Sequence, residues 1–419
     1  MNFDDTPAEA AFRRKIRAWI DANAPVHLAP ELAKASFGNV TLASEDPIQA
    51  SRDWQRRKAD AGYACLTWPK EYGGAGLGPI ERVIWGQEEG LYVALSRLYN
   101  ITHGMCGPTM LAWASEADKR RHIPPIIRGD HLWCQLFSEP AAGSDLAGLR
   151  TRAERAQDGS GDWIVNGQKI WTSLAQHASF GLLLTRTDPN LPKHKGLTMF
   201  YLDMRSPGIE IRPIKQATGH HDFNEVYFTD VRIPDTGRLG AVGEGWKVSL
   251  TTLMNERLSI GSGMPTGFPE LFAWCLGAEL DGQPAIENAA VRSRLAQLAV
   301  RASGLKYTAM RAITALSRGQ LPGPENSIGK LVAGNTMQEL AMFALDLQGE
   351  AGVLTHPDEA QSSGRFQAML LRSPGTRIEG GSDEILRNII AERVLGLPGE
   401  IRVDKDVPFR DIPTRFRAG

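Results

Sequence analysis

Apolar residues recur at helical spacing toward both ends of the chain and at short, strand-like intervals in its middle. Residues 8–22 place Phe12, Ile16, Trp19 and Ile20 on one face, and Asn23-Ala-Pro25 closes that helix. A second amphipathic helix is predicted over 47–61, stopped by Gly62, and the Gly- and Pro-rich stretch 68–78 reads as a loop. Helices resume over 79–97, 105–114 and 116–127. From about His131 the period shortens. Runs at 150–156, 162–166, 179–186, 197–203, 208–216 and 224–229 have strand composition, with turn signals at 158–161, Asn166-Gly167 and Asp188-Pro189. Asn166-Gly167, between Asp162-Trp-Ile-Val165 and Gln168-Lys-Ile-Trp171, predicts a tight hairpin. Helical spacing returns over 244–260, 268–280, 287–318, 324–348, 357–371 and 382–395. In the first of these, Val248, Leu250, Leu253, Met254 and Leu258 mark a long buried helix, with Glu256 and Arg257 set inside the apolar pattern.

The pattern predicts an α+β chain in three parts. An all-helical domain spans 1–131, a small β-barrel or sandwich spans 132–240, and a C-terminal helical bundle spans 241–398. Residues 399–419, with Pro408 and Pro413, form a surface tail. A length of 419 residues suits two or three domains with large cores. The formal net charge of −1 gives no chain-wide attraction to nucleic acid or anionic lipid. Cys65, Cys106, Cys134 and Cys275 lack metal-ligand or CxxC spacing, which suits a reducing compartment. No apolar run reaches bilayer length, and the acidic start lacks a signal-peptide layout. A soluble, cytoplasmic protein is expected.

Two stretches carry candidate chemistry. Trp133-Cys-Gln-Leu-Phe-Ser-Glu-Pro-Ala-Ala-Gly-Ser-Asp-Leu-Ala147 is a strand entering a small-residue loop, where amides freed by Gly143 and the Ser144 hydroxyl suit an anion such as pyrophosphate. A plain turn has the same composition. Gly167-Gln-Lys-Ile-Trp-Thr-Ser173 ends a strand in an aromatic and two hydroxyls, and equally fits a core Trp with a capped turn. His220-His221 reads as a polar turn, since no third ligand stands at metal spacing. Lys119-Arg-Arg-His122 and Arg13-Arg-Lys15 read as solvated helix faces.

Five segments in order resemble the acyl-CoA dehydrogenase family. They are Tyr72-Gly-Gly74; Phe137-Ser-Glu-Pro with Gly143-Ser-Asp145; Gly167-Gln-Lys-Ile-Trp-Thr-Ser173; Phe228-Thr-Asp-Val-Arg-Ile-Pro234 with Gly243-Glu-Gly-Trp-Lys247; and Ile378-Glu-Gly-Gly-Ser-Asp-Glu-Ile-Leu-Arg387. The resemblance runs from about residue 5 to 398. It implies a C-terminal four-helix bundle, FAD held between the β-domain and the C-terminal helices, and removal of the pro-R hydrogens at Cα and Cβ of an acyl-CoA to give a trans-2-enoyl-CoA. On the matching positions, the backbone near Gln135 and Phe137 and the Ser138 hydroxyl would contact the flavin pyrimidine edge. Ser173 would hydrogen-bond near N5 and O4, and Trp171 would pack against the ring. Ser144 and Ser382 match pyrophosphate contacts, Ser144 having a loop-stabilising role as its alternative. Glu384 matches an adenosine contact, and Gly349 belongs to the late glycine element of the cofactor site. Ser144, Leu253, Arg257 and Glu379 are the expected substrate-side residues.

The family chemistry needs a base, because a thioester α-C–H is too weak an acid for a carboxylate in water unless the site stabilises enolate charge. In the family the donors are a backbone N–H, here matching Gly380, and the flavin's ribityl hydroxyl. Most members carry the basic Glu where this chain has Gly380, and Glu379 falls one residue early. Isovaleryl-CoA and long-chain enzymes take their base from the long helix just before an Arg. That match points to Glu256, followed by Arg257; a salt-bridged helix carboxylate is the alternative.

The chain also departs from the family. Gly261-Ser-Gly-Met-Pro-Thr-Gly267 offers no clear equivalent of the usual Arg-x-x-Phe-Gly element, and Gly-Gly-x-Gly becomes Gly349-Glu-Ala-Gly352. Such divergence resembles bacterial branches acting on bulky acyl-CoAs such as steroid side chains, some of them α2β2 heterotetramers. The resemblance implies a homotetramer, dimer or heterotetramer, and an electron-transferring flavoprotein as partner. An oxidase of the same fold, or a non-catalytic subunit of a heteromeric enzyme, are the other readings.

Overall fold

The computed structural model describes residues 5–34, 42–261, 267–320 and 323–413, with backbone alone for 257–261 and 316–317. The chain divides into two compact units. One comprises residues 1–50, 77–95 and 257–398; the other comprises 51–76, 96–256 and 399–419.

In the first unit, helix Pro7–Asn23 starts at a capping box, with the Thr6 hydroxyl accepting from the Glu9 N–H and the Glu9 carboxylate accepting from the Thr6 N–H. It buries Ile16 and Ile20, and Arg13 and Arg17 both pair with Glu88 of helix Pro79–Glu89, at 2.9 and 2.7 Å. The C-terminal helices Phe268–Gly277, Ala289–Ser317, Asn326–Gln348 and Arg365–Ile378 enclose a core of Leu271, Leu298, Met337, Leu340, Phe366 and Met369. The helix expected over 357–371 instead runs from Arg365 to Ile378. Its start is delayed by Ser362 and Ser363, whose φ of +52° and +54° break helical continuity. It then continues through Pro374, because the Ser373 hydroxyl donates to the Leu370 carbonyl that a proline cannot serve.

The second unit contains one eight-stranded sheet: β1 (Trp133–Leu136), β2 (Arg152–Arg155), β3 (Trp163–Ser173), β4 (Phe180–Arg186), β5 (Leu197–Asp203), β6 (Ile209–Pro213), β7 (Phe223–Ile233) and β8 (Arg238–Leu239). The ladder order is β6-β7-β3-β2-β4-β5-β8, with β1 parallel to β4. Val165, Leu183, Phe200, Val226 and Val231 fill one core of the sheet. The hairpin expected at Asn166-Gly167 does not form. β3 is continuous and pairs with β7 across a register shift between Val165 and Gly167. Gly167 has φ of +150°, and a Cβ there would lie 2.7 Å from the Thr151 Cα, so the residue serves close strand approach rather than a turn. Asn166 and Asp230 bond each other across the bulge.

Two further expectations are corrected. His122, placed with a solvated basic face, is buried in the helix Glu116–Arg128, and its ring meets Trp133, Phe180 and Tyr201 edge to face. In helix Gly245–Gly261, Leu250 and Met254 are exposed, while Val248, Ser249 and Thr252 are buried. Hydroxyls anchor that helix: Thr109 and Thr252 meet at 2.8 Å, and the Trp113 indole N–H donates to Thr251 at 2.9 Å. Among the described residues, no helix is long and apolar enough to cross a membrane. The four cysteines are free, and burial lifts the Cys134 thiol to about 12.

A fully buried ion pair fixes the end of β1. Lys169 Nζ donates to the Phe137 carbonyl at 2.9 Å and to Glu139 Oε1 at 2.8 Å. Glu139 also accepts the amides of Arg150 and Thr151, at 2.6 and 2.8 Å. Burial pushes the Glu139 carboxyl up, but Lys169 and these donors outweigh it and hold the group below its ordinary range. Glu139 therefore stabilises the fold above the ordinary carboxylate pKa, and that contribution is lost as pH falls through the depressed value. Lys169→Met strands the carboxylate and is expected to cost about 3–5 kcal/mol in urea unfolding, the double change Lys169→Met/Glu139→Gln costing less. Burial first, and Arg121 second, lower His122 to about 4. His122 is thus neutral in the fold but takes up a proton when unfolded near its ordinary pKa, so stability falls as pH drops from about 6.5 toward 4. His122→Phe should remove about 2 kcal/mol of that loss at pH 5, read as a flatter dependence of the unfolding midpoint on pH.

Candidate active site

Glu256 is positioned by the way its helix begins. A Cβ on Gly245 would lie 2.6 Å from both the N and Cα of Thr198, so only glycine lets the first turn rest on β5. The Gly243 N–H donates to the Thr198 hydroxyl at 3.1 Å, fixing the entry. Ser249, Thr252 and Glu256 follow at i, i+3 and i+7, so Glu256 continues the buried polar stripe rather than the exposed Leu250–Met254 face. Its carboxylate is half-buried, with Oε2 3.5 Å from the Gln135 side-chain amide, at the outer limit of a hydrogen bond. Leu253, one turn back, packs against the adjoining core.

Gln135 is on β1, where alternation turns Cys134 and Leu136 into the sheet core and Gln135 to the other face with Trp133. Beyond the strand, the Ser138 carbonyl accepts the Ile170 N–H at 2.9 Å. With the Lys169–Phe137 bond, this lays the 137–138 segment alongside the end of β3. Trp171 has φ of +59° at a second β3–β7 register shift, and Leu174 has φ of +57°. Left-handed backbone at non-glycine residues stores strain that packing must hold, and such strain concentrates at functional sites. Trp171 remains 55 % exposed, its indole edge-on to Phe223 at 6.0 Å, and Ser173 is half-buried beside it. Ser144 is exposed in its loop, next to Asp145, which pairs with Lys193.

In the other unit, the Ser382 hydroxyl caps helix Asp383–Arg393 by accepting the Ile385 N–H, and Glu384 is exposed in its first turn. Asp383 is buried against Arg377 at 2.8 Å and Asn335 at 3.1 Å. Gly380 and Gly381 have φ of +63° and +100°, and Lys330 holds the Gly381 carbonyl at 2.6 Å. Glu379 is engaged by Arg372, with both carboxylate oxygens within 2.7 Å of Nη2. Gly349 ends helix Asn326–Gln348 with φ of +57°. The Arg257 side chain and residues 262–266 of the 261–267 stretch lie outside the described residues.

The structure therefore gathers Gln135, Phe137, Ser138, Trp171, Ser173, Leu253 and Glu256 in one unit, and Gly349, Glu379, Gly380, Ser382 and Glu384 in the other. Sequence reasoning missed Lys169 and Glu139 as clamps and Thr109, Thr251 and Thr252 as helix anchors. The only hint was a charge at each of two positions inside strand-forming motifs; no one-dimensional pattern pairs residues 30 or more apart.

The residues suit a flavin. A largely exposed Trp171 indole next to Thr172 and Ser173 in β3, with the Ser138 carbonyl bonded to the Ile170 N–H, offers a stacking surface and nearby polar groups for a flat heteroaromatic ring.

Three family models match the chain in order: the acyl-CoA dehydrogenase N-terminal domain over residues 6–130, the middle domain over 134–231 and the C-terminal domain over 243–395. Acyl-CoA dehydrogenase IpdE1 of Mycobacterium tuberculosis is 36 % identical over 401 residues, covering 93 % of this chain and 98 % of its own. Acyl-CoA dehydrogenase FadE34 of the same organism is 37 % identical over 393 residues, covering 93 % of this chain; the match takes in 51 % of FadE34, so the chain spans about half of that relative. The ChsE4–ChsE5 complex from Mycobacterium tuberculosis superposes with a TM-score of 0.79 at 28 % identity, over 96 % of this chain and 100 % of the matched one. The family is FAD-dependent. The chain belongs to the acyl-CoA dehydrogenase family, flavin-dependent oxidoreductases that act on acyl-CoA thioesters.

Proposed function

We propose that this protein removes the α and β hydrogens of an acyl-CoA thioester to give the trans-2-enoyl-CoA, with Glu256 as the base. The observation that carries the reading is the half-buried Glu256 carboxylate, on the polar stripe of its helix and 3.5 Å from Gln135 on the strand leading to Phe137 and Ser138. A helix anchored through Thr109, Trp113 and β5 holds that carboxylate in one place. By its match to the family pattern, the Gly380 N–H would be the donor to the thioester oxygen. FAD, when bound, supplies the acceptor for the β-hydride.

The chain's own residues orient that cofactor. Trp171 gives the ring a face, and Ser138, Ser173 and the backbone at Gln135 and Phe137 bond its polar edge. By motif match, Ser144 would serve the pyrophosphate; in the other unit Ser382 matches a pyrophosphate contact, Glu384 an adenosine contact and Gly349 the late glycine element. Leu253, Arg257, Ser144 and Glu379 are assigned to the acyl-CoA side on their match to the family pattern. Electrons then pass to an electron-transferring flavoprotein. The altered Gly349-Glu-Ala-Gly352 element and the likeness to the ChsE4–ChsE5 complex support assembly with a second related chain, and the likeness to a solved steroid acyl-CoA dehydrogenase, Tcur3481–Tcur3483, supports a bulky, ring-bearing acyl group.

Anaerobic bleaching of the yellow enzyme by short, branched, aromatic and steroid acyl-CoAs tests the reaction and its substrate class together. Glu256→Gln should retain FAD while the rate of flavin reduction drops by roughly 10²- to 10⁴-fold. Glu379→Gln, which removes a carboxylate already engaged by Arg372, should change that rate much less. The reverse pattern would move the base to Glu379.

A further inference from the structure

The segment after residue 398 is seated on buried cations of the β-sheet unit. Arg186, at the end of β4, is 4 % exposed and donates to three carbonyls: Leu149 at 3.2 Å, Lys193 at 3.0 Å and Ala147 at 2.5 Å. It thereby ties the 146–149 loop to the 187–195 loop. The Phe409 ring closes over its guanidinium, 3.6 Å from the ring centre. The tail is also bonded through its backbone, with Phe409 N–H donating to Leu191 O and Arg410 N–H to Pro189 O, each at 3.0 Å. Lys193 is 9 % exposed, and its ammonium is held from two sides, by Asp404 at 2.6 Å and by both Asp145 oxygens at 2.9 and 3.0 Å. Asp145 directly follows Ser144.

We propose that residues 402–411 are a clasp that sets the 143–149 loop, through Lys193 and Arg186, so that the loop presents its donors to a phosphate-bearing ligand. The inference rests on the reading of Ser144 as a phosphate contact. The physical case is that a lysine side chain has wide rotamer freedom, and one carboxylate alone would leave Lys193, and with it Asp145, free to wander. Asp404 removes that freedom with a second carboxylate contact at 2.6 Å. Phe409 does the same for Arg186 by keeping water from a guanidinium that otherwise spends its donors on loop carbonyls. Pyrophosphate of FAD and the phosphates of CoA share the chemistry the loop would recognise.

Lys193, Asp404 and Phe409 are positioning residues under this reading, and the test uses the full holoenzyme. Asp404→Asn, Phe409→Ala and a chain stopped after Pro398 are compared with wild type by amide hydrogen exchange, by the rate of FAD loss on dilution, and by calorimetric binding of free CoA. Exchange at 143–149 should quicken about tenfold while β3 and β7 keep their protection. Either FAD loss should quicken or CoA binding weaken by about tenfold, identifying which phosphates the loop serves, and KM should rise with kcat at saturation unchanged. Unaltered exchange at 143–149, or loss of protection throughout the sheet, overturns the clasp. Ser144→Ala separates the two layers of the argument. If it weakens a ligand while the clasp variants do not, the clasp is wrong; if it and they leave both ligands unaffected, the phosphate reading has failed.

Discussion

The candidate site depends on a charge buried where water cannot reach it. Lys169 reaches from β3 to the Phe137 carbonyl and to Glu139 Oε1, which also accepts the Thr151 amide, while Oε2 accepts the Arg150 amide. Such a pair gives little net stability over an apolar one, since desolvation offsets the attraction. What it gives is specificity. A path for residues 137–139 that drew Glu139 away would leave the Lys169 ammonium, fully buried, without its carboxylate. The segment that carries Ser138 is thereby held beside Trp171 and Ser173 with almost no freedom, which suits the binding of a rigid ring.

The Glu256 helix shows the same economy by neutral means. Its buried side is lined by Val248, Ser249 and Thr252, and its polar anchors reach Thr109 and Trp113. Side-chain hydroxyl bonds fix rotation about the helix axis more tightly than leucine packing would, because a small turn of the helix breaks them while apolar contacts slide. On the proposed reading of Glu256 as the base, that stiffness would keep its carboxylate aimed at one particular proton.

Much of this was legible in the chain. Helical periods at both ends, strand composition between them and five ordered motifs were enough for the α+β plan and the family, which three consecutive domain models match. The misreadings are local and have physical causes. Asn166-Gly167 carries a hairpin composition, but tertiary pairing of β3 with both β2 and β7 uses the glycine for close approach instead. Leu250 and Met254 scored as core by spacing, yet the helix buries its hydroxyl side. His122 followed three cations in sequence and still points inward among aromatics. In each case a partner distant in sequence decides the outcome, and periodicity holds no record of partners. The placement of individual site residues was read from motif resemblance rather than from periodicity. Their grouping within each unit, Gln135 with Glu256 above all, needed coordinates.

The left-handed backbone at Gly380 limits what the position can hold. Its φ of +63° would cost an ordinary side chain about 1–2 kcal/mol. Any side chain introduced there would meet that strain before it gained a single contact, so the turn between helices Arg365–Ile378 and Asp383–Arg393 favours a residue that carries none.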